Sequence, residues 1–238
     1  MDFDVKVMGS ELSRELTTDT LNTWLSDNPQ LLQLNYQKVL IAVHSNTFTI
    51  MPAKTEHAGE FLESLGYPLK SSDKIYVDEV QPDFLIYYTL PDALVDFLEH
   101  RFQHIEWHFG DIAFIKYKNE KLSFKNHLLA HLYGEDLSIA LKKDGKIYFY
   151  NKFQVKAKED LLYYIRLAYD QLQLNPNEFA TYLYGFIEEK SPAFSTSYGY
   201  IRNFEIDRSL KHGLGYLHVD EEIPMHYYLN LLALGKCV

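Results

Sequence analysis

The stretch from Asp136 to Leu174, DLSIALKKDGKIYFYNKFQVKAKEDLLYYIRLAYDQLQL, constrains the fold more than any other part of the chain. Leu137, Ile139 and Leu141 alternate with Ser138, Ala140 and Lys142, which predicts a strand. Asp144-Gly145 follows, a pair suited to a type I′ turn because both central residues need φ > 0. Ile147 and Phe149 then return as the partner strand. Over Ala157 to Leu172 the period changes to that of a helix, with Leu161, Leu162, Ile165, Ala168 and Leu172 on one stripe. Asn175-Pro176-Asn177 ends it, and ATYLYGFI (Ala180 to Ile187) reads as a strand placed for a parallel crossover. Hairpin, helix and parallel strand in this order predict a mixed sheet with helices packed on it.

The first half holds a looser version of the same order. Phe3, Val5 and Val7 alternate in a short strand, and Ser10 to Asp27 reads as a helix stopped by Asn28-Pro29. KVLIAVHS (Lys38 to Ser45) and TFTIMP (Thr47 to Pro52) are predicted to form a hairpin turning at Ser45-Asn46. His57 to Leu65 is a short helix closed by Gly66. Lys74 to Val80 is a strand, and the continuous apolar run Phe84 to Leu90 is a strand buried on both faces. A helix over Asp92 to Phe102 and a strand through Ile105, Trp107 and Phe109 complete an expected parallel βαβ unit. Asp111 to Tyr117 reads as helical, and Leu122 to Tyr133 contains a strand that stops at Gly134. Ser191-Pro192 opens a helix to about Arg202, Phe204 and Ile206 mark a short strand, and Pro224 to Leu234 is a terminal helix.

Net charge is −10, which argues against nucleic-acid binding, since phosphate contacts need clustered Lys and Arg. No apolar run approaches a membrane span, and MDFDVKVMGS has no cationic patch followed by an apolar segment. Cys237 is the single cysteine, so an intramolecular disulfide is excluded and the cytoplasm is the expected compartment. Aromatic residues make up 15% of the chain, with 19 Tyr and 15 Phe. Tyr can fill half-buried faces with its hydroxyl outward, or it can supply an interaction surface, and both readings stand.

The motifs of the second half resemble an uncharacterised bacterial family, a domain of unknown function. The matching residues are Asp144, Gly145, Asn151 and Phe153 around the hairpin, Asp160, Tyr163 and Tyr164 at the helix start, Gly185 in the following strand, and Tyr200, Ile201, Arg202 and Asn203. VLIAVHSNTFTIMP and His108 fit more loosely. That family resembles the actin-like ATPases, which have a ribonuclease H-like fold. The resemblance implies an α/β fold of two lobes, each a mixed sheet flanked by helices, with residues 1–118 as the first lobe and 119–238 as the second.

An actin-like ATPase cradles phosphate on glycine-bearing hairpin turns and holds Mg²⁺ with an Asp at each. The usual trace is Asp-x-Gly, and none occurs in this chain. At the second-lobe position stand Gly134, Glu135 and Asp136, in a different order; at the first-lobe position stand Ser45-Asn46 or Gly9-Ser10. Gly185 takes the place of an adenosine-side glycine, with Phe186 beside it. Gly134, Glu135, Asp136 and Gly185 are therefore the candidate remnants of a nucleotide cleft. No catalytic residue, metal site or cofactor is expected, and bound Mg-ATP is the alternative. The expected partner is another protein or a second copy of the chain.

Other patterns carry less. His100, His104 and His108 are spaced by four, but the helix is expected to stop near Phe102. His127 and His131 lack the Glu of a metalloprotease helix. Gly213-Leu214-Gly215 is an isolated Gly-x-Gly, and Asp220, Glu221 and Glu222 read as a solvated turn. MHYYLNLLALGKCV has too little positive charge for a helix lying on a membrane and is expected to dock on the lobe, with packing back on the cleft or the first lobe as the alternative.

Overall fold

The computed structural model describes residues 17–33, 35–121, 126–207 and 224–235. The chain falls into two compact units that divide between Ala113 and Phe114. The expectations for Phe3 to Val7, Gly9-Ser10, Gly213 to Gly215, Asp220 to Glu222 and Cys237 lie outside the described residues.

In the C-terminal unit the strands β6 (His127–Tyr133), β7 (Asp136–Lys143), β8 (Lys146–Gln154), β9 (Ala180–Gly185) and β10 (Phe204–Ile206) form one sheet in the order β10-β9-β6-β7-β8. β6 to β8 are an antiparallel meander, and β9 and β10 add in parallel on the other side of β6. Asp144 and Gly145 take φ 52° and 84°, both in the left-handed region that a type I′ turn requires. α6 (Lys158–Gln171) crosses over from β8 to β9, and α7 (Pro192–Tyr198) crosses from β9 to β10. Such a crossover is what allows parallel pairing, since a tight turn cannot reverse the direction twice.

Period 2 divides the side chains of β6 between two faces. Leu128, Ala130 and Leu132 join Leu137, Ile139, Leu141 and Leu183 in one core with Leu161, Ile165 and Ala168 of α6 and Phe194 of α7. Leu161 and Ile165 have no exposed surface, and truncating either to Ala costs about 2–5 kcal/mol. The opposite face is also covered, although several of its residues are polar: His127, His131, Ser138 and Lys142 are all buried, alongside Leu129 and Ala140. Lys118 of α5 (Ile112–Lys121) lies 5.7 Å from the ring of Tyr182, and Asn230 of α8 (Leu229–Leu234) reaches His131, so both elements lie on that side, in keeping with the expected mixed sheet flanked by helices.

Ser191 caps α7 by accepting from the N–H of Phe194 at 3.2 Å, with Pro192 in the first turn. The helix stops at Tyr198, one turn earlier than the apolar pattern suggests, because Gly199 follows. The terminal helix expected over Pro224 to Leu234 is in two parts, a 3-10 turn at Met225–Tyr228 and then α8.

The N-terminal unit contains α1 (Thr18–Asp27), α2 (Gln30–Gln33), β1 (Val39–Val43), β2 (Phe48–Met51), α3 (Ala58–Ser64), β3 (Lys74–Gln81), β4 (Phe84–Leu90), α4 (Asp92–Glu99) and β5 (Ile105–Phe109). The expected β1–β2 hairpin does not form. β1 pairs in parallel with β5, and β2 pairs with β4. Ser45 redirects the chain without reversing it: its hydroxyl donates to Thr47 O and accepts from Thr47 N–H, at 3.1 and 3.2 Å. The βαβ expectation is corrected in the same way. β5 lies beside β1, while β4 is antiparallel to both β2 and β3. The sequence pattern gives strand, helix, strand, but pairing is a long-range choice that periodicity does not encode. β4 is buried along its whole length, as its apolar run indicates, because it is the middle strand of three.

Candidate functional site

The turn Gly134-Glu135 joins β6 to β7, and β9 runs parallel to β6 with Gly185 opposite Leu132. All four candidate residues therefore lie at one end of the C-terminal sheet. Gly134 has φ 61°, and space is open around it, so this glycine serves the turn and not a close approach. Gly185 differs. Its φ is 89°, and an added Cβ would sit 2.7 Å from a ring carbon of His131 and 2.9 Å from the carbonyl carbon of Leu132. Phe186 N–H donates to Leu132 O at 2.7 Å, and Ile187 N–H folds back to Gly185 O at 2.8 Å.

The acids of the turn are tied into the sheet. Asp136 accepts from the side-chain amide of Gln154, and Glu135 O accepts from Val155 N–H at 2.7 Å. Glu135 and Asp136 are the two candidates with the oxygen ligands Mg²⁺ prefers. The Asp136 carboxylate is already committed to Gln154.

Aromatic rings surround the backbone after Gly185. Phe186 packs against Tyr133 at 4.7 Å, Tyr227 at 5.2 Å and Tyr228 at 6.2 Å between ring centroids. Polar groups fasten the Met225–Tyr228 turn beside them. His226 Nε2 donates to Ile187 O at 2.6 Å, and the Tyr227 hydroxyl donates to Glu188 at 2.7 Å. Burial, then the Glu188 carboxylate, pushes the Tyr227 phenol up to about 12. Burial likewise raises Tyr133. His131 stacks on Tyr184 with centroids 4.5 Å apart and planes within 7°. Among the described residues the end of β9 is thus a ring-lined surface and not a cradle of the N–H donors and cations that phosphate needs.

In the N-terminal unit Ser45-Asn46 lies between β1 and β2 and presents no carboxylate of its own. His100 caps α4, His104 has φ 58° in the following loop, and His108 is on β5, so this trio shares no helix face. His127 and His131 are on strand β6, not a helix.

Two buried polar groups escaped the sequence reading. Asp78 of β3 accepts from Phe109 N–H at 2.5 Å and from His108 Nδ1 at 3.1 Å, and burial with Asp78 nearby raises the Tyr88 phenol. In the C-terminal unit Lys118 pairs with Asp207, and both are buried. Burial lowers the Lys118 pKa, and Asp207 opposes that shift. In the sequence Asp78 stands beside Glu79 on an alternating strand, and only the period, which turns it to the opposite face, separates the two; Lys118 carries no signal at all.

Residues 6–204 match the family model described as "Protein of unknown function (DUF3822)". The chain belongs to this family. A search of curated proteins finds no match. Among solved structures, the fold is shared with a protein from Bacteroides thetaiotaomicron that has an actin-like ATPase fold and unknown function. That likeness has 18% identity and a TM-score of 0.77, over 94% of this chain and 82% of that one. The PilM-PilN type IV pilus biogenesis complex is similar at 12% identity and TM-score 0.55, over 92% and 85%. This DUF3822 protein has the actin-like ATPase fold. No helix among its described residues is long and apolar enough to cross a membrane.

Proposed function

We propose that this chain is a non-catalytic actin-like protein that works as an interaction module, binding a protein partner or a second copy of itself. The observation that carries the reading is the ring cluster of Tyr133, Phe186 and Tyr227 beside Gly185, at the end of the sheet where active relatives would hold nucleotide. The absence of Asp-x-Gly from the sequence supports it. So does the nature of one structural neighbour, PilM, which is found in complex with PilN. Exposed Tyr148, Tyr163, Tyr198 and Tyr200 supply contact surface of the type interfaces favour.

A second reading rests on the same end of the sheet. Gly134, Glu135, Asp136 and Gly185 are still side by side there, as an assembly factor with divergent phosphate loops would require. Titration calorimetry with Mg-ATP separates the two. No heat of binding at about millimolar ATP, where a micromolar site would saturate, supports the interaction module. A saturable isotherm supports the nucleotide reading.

A further inference from the structure

We propose that the face of β3 beside α3 docks a basic, amphipathic helix of a partner protein. The inference rests on the reading of the chain as an interaction module and gives it a second surface, in the N-terminal unit. β3 is an edge strand of the sheet β2-β4-β3. Its alternation turns Ile75, Val77 and Glu79 to one face and Tyr76, Asp78 and Val80 to the other. On the second face Asp78 is already engaged, with Phe109 N–H and His108. On the first, the register sets Ile75, Val77 and Glu79 beside Thr89, Tyr87 and Leu85 of β4. Ala58 of α3 packs there on Leu85 and Tyr87.

α3 covers the middle strand and stops short of the edge. It has seven residues, of which Ala58 and Leu62 are buried. A Cβ added at Gly59 would meet Ile75 Cδ1 at 3.2 Å, so the flank of the helix that carries Gly59 turns to β3. Glu63, one turn on, is on the same flank. Leu85, Tyr87 and Thr89 of β4 are buried, whereas Ile75 is 42% and Val77 44% exposed on the same face. An apolar row of the sheet therefore lies open along the side of the helix.

Charge selects the occupant. Glu63 and Glu79 are exposed at the margin of this row, and α3 carries no Lys or Arg. Asp92 and Asp96 of the same unit are both paired with Lys74. The carboxylates of Glu63 and Glu79, by contrast, make no hydrogen bond or ion pair among the described residues. Carboxylates without a cation beside open apolar surface are complementary to Lys or Arg on a partner. A helix with Leu or Ile on one stripe and Lys or Arg beside it lays the stripe on Ile75 and Val77 and meets both acids. A second copy is disfavoured, because a two-fold apposition of this face brings Glu63 and Glu79 onto the same acids.

The test is a fluorescence-anisotropy titration of the full chain with a labelled amphipathic helical peptide of Leu and Lys. A scrambled peptide of the same composition and a Leu–Glu peptide of the same pattern serve as controls. The Leu–Lys peptide is expected to bind at about 10–100 μM in about 50 mM salt, with both controls about tenfold weaker or more. I75T/V77T and E63Q/E79Q are each expected to lose about tenfold in affinity. The melting temperature of E63Q/E79Q is expected to stay unchanged, since neither carboxylate has a partner to lose. D170N/E205Q, which removes two exposed acids of the C-terminal unit, is expected to bind as the native chain does. Absence of binding up to about 1 mM, equal binding of the scrambled peptide, full affinity in E63Q/E79Q, or an equal loss in D170N/E205Q overturns the proposal. A concentration-dependent dimer that I75T/V77T abolishes assigns the face to a second copy and also overturns it. None of these variants touches the ring cluster and no readout involves ATP, so failure here leaves the calorimetric result intact.

Discussion

Gly185 sits directly against Leu132, with φ 89° and no room for a Cβ between its Cα and the Leu132 carbonyl. The register that pairs these two residues also brings Phe186 N–H onto Leu132 O at 2.7 Å. Any side chain at 185 meets both a left-handed backbone and a fixed neighbouring peptide. Gly185→Ala is expected to destabilise the protein by about 3 kcal/mol or more in urea unfolding, and Gly134→Ala, where space is open, by about 1–2 kcal/mol. The difference between the two glycines is the expected outcome.

Asp160 accepts from the N–H groups of Lys156 and Ala157 at 2.7 and 2.8 Å, and these bonds hold its carboxyl below the ordinary value. A depressed folded-state pKa contributes stability that is present above the unfolded value and is lost as pH falls through the folded one. The melting temperature of the native chain therefore falls on acidification through and below the ordinary carboxylate range. In Asp160→Ala the melting temperature is lower at neutral pH, and the acid decline is shallower.

Lys118 and Asp207 are buried together as an ion pair, so removing one takes from the other a buried opposite charge. Lys118→Met is expected to cost about 3–5 kcal/mol in chemical denaturation. Lys118→Met with Asp207→Leu is expected to recover most of that loss, because the double change removes the desolvation of both ions. Because burial lowers the Lys118 pKa, stability rises with pH in the window below the ordinary lysine value, and this slope is absent from the double variant.

Asp78→Ala leaves the buried Phe109 N–H and His108 Nδ1 without their carboxylate. The expected cost is about 2–4 kcal/mol, from the desolvated groups left unsatisfied. Proton NMR should also show faster exchange of the Phe109 amide. Asp83→Ala, on the exposed β3–β4 turn, is the control and is expected to change stability by about 0.5 kcal/mol or less.

Local order was legible in the sequence wherever two signals agreed. The Asp144-Gly145 turn, the apolar stripe of α6 and the Ser191-Pro192 start of α7 each combine a period with a terminus residue, and each is in place. Long-range pairing was not legible. Lys38 to Pro52 reads as a hairpin, yet β1 pairs with β5 and β2 with β4, a long-range choice that local periodicity does not encode. The polar alternation of Ser138 and Lys142 does not say which elements lie over that face, and α5 and α8 cover it. At the candidate site the glycines and acids could be read in order along the chain. The ring cluster could not, since Phe186 and Tyr227 are far apart in sequence and meet only through tertiary packing.

Melting temperature against Mg-ATP concentration tests the central claim most directly. A ligand at about a hundredfold excess over its dissociation constant adds about 2.7 kcal/mol, a shift of several degrees or less in a chain of this size. A flat melting temperature up to about millimolar Mg-ATP is the outcome expected of a chain whose β9 end is closed by Phe186 and Tyr227. A saturable rise with ATP that is abolished by chelating Mg²⁺ contradicts it.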